Sequence, residues 1–591
     1  MTLLVDRNEK QTIIPVPLRG MNTKDPPHHL PEGQGVELYN VEIDEIIGIE
    51  KRNGFIPFNT ASVVIPRYDS GTIREITGAM VYGSGTAWTA SMSKTSDVLM
   101  MFGNSSVYYW QIENLVGTAT ISLYNSYTQT VTASSYVIAP REIGSIFSYK
   151  YGTTQKLMAF AGSDAYAATN GLTGTFTRLS AGLTDYAKVA GITFQDNFYF
   201  CNGYEFKYYN GTSIAAVTGT PDPDDPKYIS LYTIGNANYI CVAGSETAAD
   251  YSKFAFCDVN APGTWPSGNV YYAGDRDNQK ITGVKPIPGG MAIFKDASIY
   301  VFSGIPGSGA LRKVISDVGC VSPRSLVAYE GQVYFIGKQG GNLGAFSFNG
   351  SSVTLLSESI ETTLNAMKAS GFDDFCGEIY EDKYVVSGVN SSGSFSNRHF
   401  LCYISRPFQA DNRVYFPWTY GNRGFNYLAN VEVSGVNYLF SASPTNGFVY
   451  REDTGTADDT TDHIFGNTAA IDAFCESAWI DFGDISKKKE LLRLYIDATS
   501  SGNWNLAMKI YFDFASGYNE YNVDLGAGVL TWSDVIYLVT PWQTSVNKSI
   551  TEVPINYPSI ARHFKFRWGN ANVNEYFTVY PMNAYFKVEN R

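Results

Sequence analysis

Short aromatic strands that close on glycine or asparagine recur along this chain, and that recurrence restricts its fold more than any other feature. The stretch "NFYFCNGYEFKYYNG", residues 197–211, is representative, with seven aromatic residues and two Asn-Gly pairs. "VLMMFGNSSVYYW" from Val98, "KLMAFAGSDAYAATNG" from Lys156, "NYICVAGS" from Asn238, "KDASIYVFSG" ending at Gly304 and "EGQVYFIGKQGGNLGAFSFNG" ending at Gly350 repeat the phrase. "EDKYVVSGVNSSG" from Glu381 and "SGVNYLFSASPTNGFVYRED" from Ser434 extend it. Most read as strand, tight turn, strand, the signature of a hairpin.

The glycines that close these strands, Gly103, Gly162, Gly203, Gly244, Gly304, Gly337 and Gly388, are spaced by 59, 41, 41, 60, 33 and 51 residues. Repeats of ~40–50 residues built from short strands indicate β-propeller blades. A small sheet with two apolar faces cannot bury both alone, whereas a ring of such sheets buries every face. The uneven spacing predicts a divergent propeller with inserted loops; a string of β-sandwiches is the competing architecture. With 591 residues the chain exceeds one ordinary core, and 42 Tyr and 35 Phe beside only 17% charged residues favour pleated, half-buried surfaces.

The fold class expected is therefore mainly β: an irregular β-propeller with an N-terminal arm and a C-terminal β-sandwich-like domain. Residues 1–60 form the arm and platform strands, where Pro26, Pro27 and Pro31 interrupt any regular element and predict an extended arm laid over something else. Residues 61–451 form the propeller. Residues 452–470, "EDTGTADDTTDHIFGNTAA", form a polar linker or exposed loop. Residues 471–591 form the sandwich, in which Leu491, Arg493 and Tyr495 alternate with Leu492, Leu494 and Ile496. One amphipathic helix is expected, with Ile360, Leu364 and Met367 on a packing face.

Chemistry-bearing patterns are sparse. The seven cysteines, Cys201, Cys241, Cys257, Cys320, Cys376, Cys402 and Cys475, contain no Cys-x-x-Cys pair and read as buried, reduced thiols. The histidines, His28, His29, His399, His463 and His563, lack a metal-binding spacing. Asp222, Asp224 and Asp225 in "PDPDDPKY", and Asp275 and Asp277 in "YAGDRDNQK", are carboxylate clusters that read as loops, since the Gly and terminal Glu of a calcium loop are missing. "DVNAPGTWPSGN" resembles an Asp box, but Gly263 and Trp265 stand at the wrong spacing from Asp258; a structural turn around a buried Trp is expected. The Gly-rich stretches at Gly83–Gly85, Gly304–Ala310, "GNANYICVAGSE" and "GKQGGNLG" read as turns, without the nucleophile elbow or the phosphate loop. Catalytic, cofactor-binding and metal residues are accordingly assigned as none, and the chain is expected not to be an enzyme.

The formal net charge is −13, and the longest basic run is Lys487, Lys488, Lys489, so no phosphate-gripping surface is visible. The N-terminus lacks an apolar stretch of signal-peptide length, and no run reaches the ~18–20 apolar residues of a membrane helix. Folding in a reducing cytoplasm, without membrane insertion, is expected.

The order of phrases adds a resemblance. An arm leading into "LYNVEIDEIIGIEKRNGF", then "FQDNFYFCNGYEFKYYNG", "APGTWPSGNVYYAGDRDNQKITGVKPIPGGMAIFKDASIYVFSG", "ISDVGCVSPRSLVAYEGQVYFIG" and "GAFSFNGSSVTLLSESIETTLN", resembles the tail nozzle (tail tubular) proteins of short-tailed double-stranded DNA bacteriophages. The closing "ESAWIDFGDISKKKELLRLYID", "FKFRWGN" and "YFKVENR" are similar to the end of such chains. The resemblance implies a homohexameric ring subunit of the virion tail, assembled in the host cytoplasm. It would join a portal-adaptor ring, bear tail fibres or spikes, and pass double-stranded DNA without sequence recognition. An acidic wall suits such passage because it repels phosphate. The alternatives are a glycan-binding or sialidase-like propeller and another head-completion or distal tail component.

Overall fold

A computed structural model describes residues 9–589 except 45–47, 60–67, 69, 89–96, 103–106, 128–134, 141, 170, 180–181, 185–187, 275–278, 368–373, 394–395, 411, 446, 460–467, 501–504, 526–546 and 556–558. Among the described residues the strand-turn-strand phrases become seven small sets of antiparallel strands arranged as blades, the sixth of them part of a larger sheet, and the chain is a β-propeller joined to a β-sandwich. The second strands of the blades begin at residues 154, 197, 237, 290, 332, 383 and 436. The innermost strands stand side by side: Ser145–Tyr151, Ala190–Phe194, Tyr228–Ile234, Ile281–Ile287, Val327–Tyr329, Cys376–Tyr380 and Tyr427–Val433. The last lies against the first, which closes the ring.

The uneven glycine spacing has a simple origin. Gly162, Gly203 and Gly244 each follow the second strand of blades 1, 2 and 3 at positive φ, whereas Gly304 follows the third strand of blade 4 and Gly337 lies inside a strand of blade 5. Gly103 lies outside the described residues, and its flanking strands, Asp97–Phe102 and Val107–Gly117, belong to no blade. They sit in a separate five-stranded sheet spanning residues 72–140, which in the chain lies between Ile56–Pro57 and the first strand of blade 1. That sheet packs around its own core of Trp88, Trp110, Leu99, Ile121 and Ile138, with the Trp88 indole donating to the Tyr136 hydroxyl at 2.9 Å.

Strand Asn197–Cys201 shows how the blades cohere. Phe198 and Phe200 pack with Tyr149, Met158 and Phe160 of blade 1, while Tyr199 and Cys201 join Ile240, Val242 and Phe254 of blade 3. Period-2 alternation thus feeds two interfaces from one strand, and both faces are apolar because both are buried. The cross-strand register places Phe206 opposite Cys201 and Tyr208 opposite Tyr199, so these two rings face blade 3, away from Phe198 and Phe200.

The N-terminal segment is woven into its own chain. Strand Ile56–Pro57 pairs with Val449–Arg451 and supplies the fourth strand of blade 7; a proline is tolerated there because the strand is at an edge. Gly35–Tyr39 lies between Trp418–Gly421 of blade 6 and Ala473–Ser477 of the sandwich. A nine-stranded sheet therefore runs from blade 6 through Gly35–Tyr39, Ala473–Ser477, Phe564–Asn570 and Asn505–Phe512 to Tyr518–Asp524. The facing sheet contains Glu9–Ile14, Met582–Val588, Lys489–Ser500, Phe577–Val579, Ile49–Lys51 and Val41–Ile43, with Asn547–Val553 and Ser559–Ala561 also paired to Lys489–Ser500. Ile14, Val16 and Met21 are buried in the core shared with Leu494, Ile496 and Trp568. Met21 N–H donates to the Trp418 carbonyl at 2.9 Å, and Thr23 N–H to the Ser359 carbonyl at 2.8 Å. The extended arm is laid over its own chain, with its apolar residues buried in the core that the two sheets share.

Local details refine other expectations. The helix is short, Glu361–Asn365 after a 3-10 turn, and Ile360, Leu364 and Met367 are buried against the shared core. In Lys489–Ser500 the register shifts between Leu491 and Arg493, so Leu491 and then Leu494, Ile496 and Ala498 point inward. Lys489 turns inward as well, its ammonium donating to the carbonyls of Asp484 and Arg562, which breaks up the only lysine run. In the segment expected as linker, Asp458–Asp459 pairs with Thr468–Ala469, and Arg52 grips the Asp458 carboxylate at 2.8 and 2.6 Å.

Candidate functional site

The propeller axis contains a cavity of about 570 Å³, built from the first strands of blades 2 to 7 and the residues that lead into them. The leading residues carry charge. Lys188 stands just before strand Ala190–Phe194, Lys227 before Tyr228–Ile234, Lys280 before Ile281–Ile287, and Arg324 before Val327–Tyr329. Four consecutive blades thus bring a cation to the same end of the axis, because each inner strand begins there.

These cations are partly neutralised. Lys188 pairs with Asp374, and Arg324 reaches the same carboxylate at 3.3 Å and the Asn426 carbonyl at 2.8 Å. Lys227 pairs with Glu246, with Lys280 4.0 Å from its other oxygen. The hydrogen bond from Lys227 holds the Glu246 carboxyl below its ordinary range. Although 8% of the Arg324 side chain is exposed, its Nε has no hydrogen-bond partner.

Further along the axis the chemistry changes. Lys285 is half-buried, and burial lowers its ammonium below the usual lysine range, with Glu378 as the charge that opposes the effect. Burial raises the Glu378 carboxyl to about 7, while the Ile379 N–H, donating at 3.0 Å, and Lys285 act to lower it. The Asn430 side chain also donates to Glu378 Oε1 at 3.4 Å. Lys285 and Glu378 make no direct ion pair within 4.0 Å. Tyr228 and Tyr427 line the same space, and burial holds both phenols protonated. The arrangement offers cationic donors, a carboxyl able to change charge near neutrality, and apolar walls from Ile192, Leu231, Val284 and Leu326.

The candidates from sequence lie elsewhere and do not converge. Asp222, Asp224 and Asp225 form the loop between blades 2 and 3, where Asp222 pairs with Lys253 at 2.6 Å. Asp275, Asp277 and His463 lie outside the described residues. Asp258 and Trp265 belong to the turn between the third and fourth strands of blade 3, where Trp265 is half-buried against Phe206. His28 and His29 are exposed, their rings 4.2 Å apart, and His28 and His563 flank Phe514 at 5.6 and 4.6 Å. His399 is buried, with Nδ1 3.1 Å from the Arg423 carbonyl. All seven cysteines are free and buried. Among the described residues no group of three or more His, Cys, Asp or Glu is placed to hold a metal. Sequence reasoning missed the axial cations because no two adjoin in the chain; the available signal was a Lys or Arg shortly before successive inner strands.

No protein-family model and no curated protein matches this sequence. Solved structures similar to it include the Dos1 propeller, at a TM-score of 0.35 and 12% identity over 68% of this chain and 95% of that one. The Pan2 WD40 domain of Neurospora crassa is similar at a TM-score of 0.33 and 10% identity, over 53% of this chain and 89% of that one. An ancestral GH74 enzyme is similar at a TM-score of 0.28 and 11% identity, over 65% of this chain and 51% of that one.

Proposed function

We propose that this chain is a structural subunit of a virion tail, a nozzle protein that extends the DNA channel of a short-tailed bacteriophage as one member of a homohexameric ring. The observation that carries the reading is the nine-stranded sheet shared by propeller and sandwich. Strand pairing continues from blade 6 through Gly35–Tyr39 into the sandwich, which ties the two parts directly, and the N-terminal strands complete both. Such a body keeps its shape when packaged DNA pushes along a channel, which a ring subunit must do. The order of aromatic phrases that resembles tail nozzle proteins supports the same reading.

In this reading the duplex passes through the opening enclosed by the ring of subunits, since the propeller axis encloses only about 570 Å³. The net charge of −13 keeps the wall from gripping phosphate. The portal-adaptor ring lies above, and fibres or spikes attach outside. A reconstruction of particles encoding this chain tests the reading: six copies around the tail axis below the adaptor are expected, and absence of the chain from purified particles by mass spectrometry refutes it.

A further inference from the structure

We propose that the axial cavity of the propeller is a binding site for a small organic anion, one acidic head group on an apolar body. Three observations converge. The cavity volume, about 570 Å³, falls in the range of small-molecule sites, roughly 300–1,000 Å³. Two donors there are unspent: the half-buried Lys285 ammonium has no hydrogen-bond or ion-pair partner among the described residues, and the Nε of the deeply buried Arg324 side chain is unpaired. Leaving a buried donor such as the Arg324 Nε unsatisfied costs stability, and a bound acceptor would remove that cost. Part of the wall is apolar, from Ile192, Leu231, Val284 and Leu326, which favours an organic body over a bare inorganic ion.

The acidic head accepts from Lys285, and the apolar body lies against Leu231 and Leu326, with the Arg324 Nε as a further donor to polar groups at the other end. Glu378 opposes an anion when ionised, so binding is tighter when that carboxyl is protonated. The other charges facing it are Lys285 from blade 4 and, through Asn430 and Tyr427, only neutral groups from blade 7.

Calorimetric titration of the full chain with two probes tests this: 8-anilinonaphthalene-1-sulfonate, and its uncharged counterpart N-phenyl-1-naphthylamine. One sulfonate probe per chain is expected. Lys285→Met weakens it by about 10- to 100-fold, the worth of a charge-assisted hydrogen bond, while leaving the uncharged probe within about twofold. Ala328→Trp, which fills the cavity, removes both. Lys285→Gln serves as a second neutral variant, and both lysine variants keep or raise the thermal midpoint because an unpaired, half-buried charge is removed. Sulfonate binding unchanged by either lysine variant, failure to saturate at one per chain, or survival of binding in Ala328→Trp overturns the proposal. So does unfolding of both lysine variants, since it would show that the ammonium already has a partner within the protein.

Discussion

Tyr39 and Tyr420 are register partners in parallel neighbouring strands, their rings 5.2 Å apart, and through this pair the sheet of blade 6 continues into the sandwich. Arg398 lies over both rings, 5.3 Å from that of Tyr420 and 6.0 Å from that of Tyr39, and the Tyr420 hydroxyl donates to the Glu37 carboxylate. Asn40, the next residue, adopts positive φ and ties the junction laterally, donating to the Asp472 carbonyl at 2.8 Å and accepting from Arg52 Nε at 3.0 Å.

The junction admits no extra atom at Gly421. A Cβ there would stand 2.3 Å from Asn40 Oδ1 and 2.3 Å from His399 Cε1, both held by their own hydrogen bonds. Gly421→Ala is expected to cost about 2–3 kcal/mol, the usual penalty of overpacking. The urea midpoint measures it, and a midpoint within error of the parent would show that the junction is looser than the structure has it.

Removing residues 1–34 is expected to abolish folding rather than assembly alone. The deletion takes away Ile14, Val16 and Met21, all buried in the shared core, and strand Glu9–Ile14, which pairs with Met582–Val588. Each lost apolar side chain costs about 1.5–3 kcal/mol of burial, a large share of the 5–15 kcal/mol by which domains are stable. A truncated protein that still melts cooperatively at the parent temperature would contradict this.

Acid should weaken the protein through His399. Burial, reinforced by Arg52, Arg423 and Arg398, depresses its imidazole from 6.5 to about 3. The unfolded chain therefore binds this proton before the folded one, and stability present above pH 6.5 falls as pH drops towards 3, at up to about 1.4 kcal/mol per pH unit. His399→Gln should remove that slope; unfolding titrations between pH 4 and 7, compared between variant and parent, measure it.

Glu378 acts in the opposite sense. Its carboxyl is raised from 4.5 to about 7, so folding is favoured while both states are protonated, and stability is lost as pH climbs from 4.5 through 7. Glu378→Gln keeps the acceptor for the Ile379 N–H and should stabilise the protein at pH 8 by about 1–2 kcal/mol, less than a full conversion because the carboxylate reaches channel water, with no gain at pH 4. Thermal midpoints at the two pH values separate the outcomes, and equal gains would assign the effect to packing.

Phe198 and Phe206 lie in one phrase of sequence yet should differ on truncation. Phe198 is 1% exposed and meets Phe147 at 5.2 Å across the blade interface, whereas Phe206 is half-buried beside Trp265. Phe198→Ala is expected to cost about 3–5 kcal/mol and Phe206→Ala about 1–2 kcal/mol, read from denaturant midpoints. Similar costs would mean that the two faces of the blade are equally buried.

The strand-turn phrases, the turn glycines and the buried thiols were legible in the amino-acid sequence, because a hairpin is a local object whose turn and alternation lie within about twenty residues. Gly340 and Gly341 at positive φ sit in the tight turn that "GKQGGNLG" predicts, and the stripe Ile360, Leu364, Met367 packs as its spacing predicts. The blade phase was less legible, since Gly304 and Gly162 close different strands of their blades and residues 72–140 use the same hairpin vocabulary outside the ring.

What the sequence by itself determined is the material, many short two-faced strands that have to stack to bury their aromatic residues. Only the tertiary structure decided where those strands go: Ile56–Pro57 into the last blade, Gly35–Tyr39 between propeller and sandwich, and Lys285 and Glu378 on one axis from positions 93 residues apart. The physical reason is that a strand edge offers the same backbone hydrogen bonds to any partner. Which partner takes them is settled by the packing of distant side chains, and no local pattern records that choice.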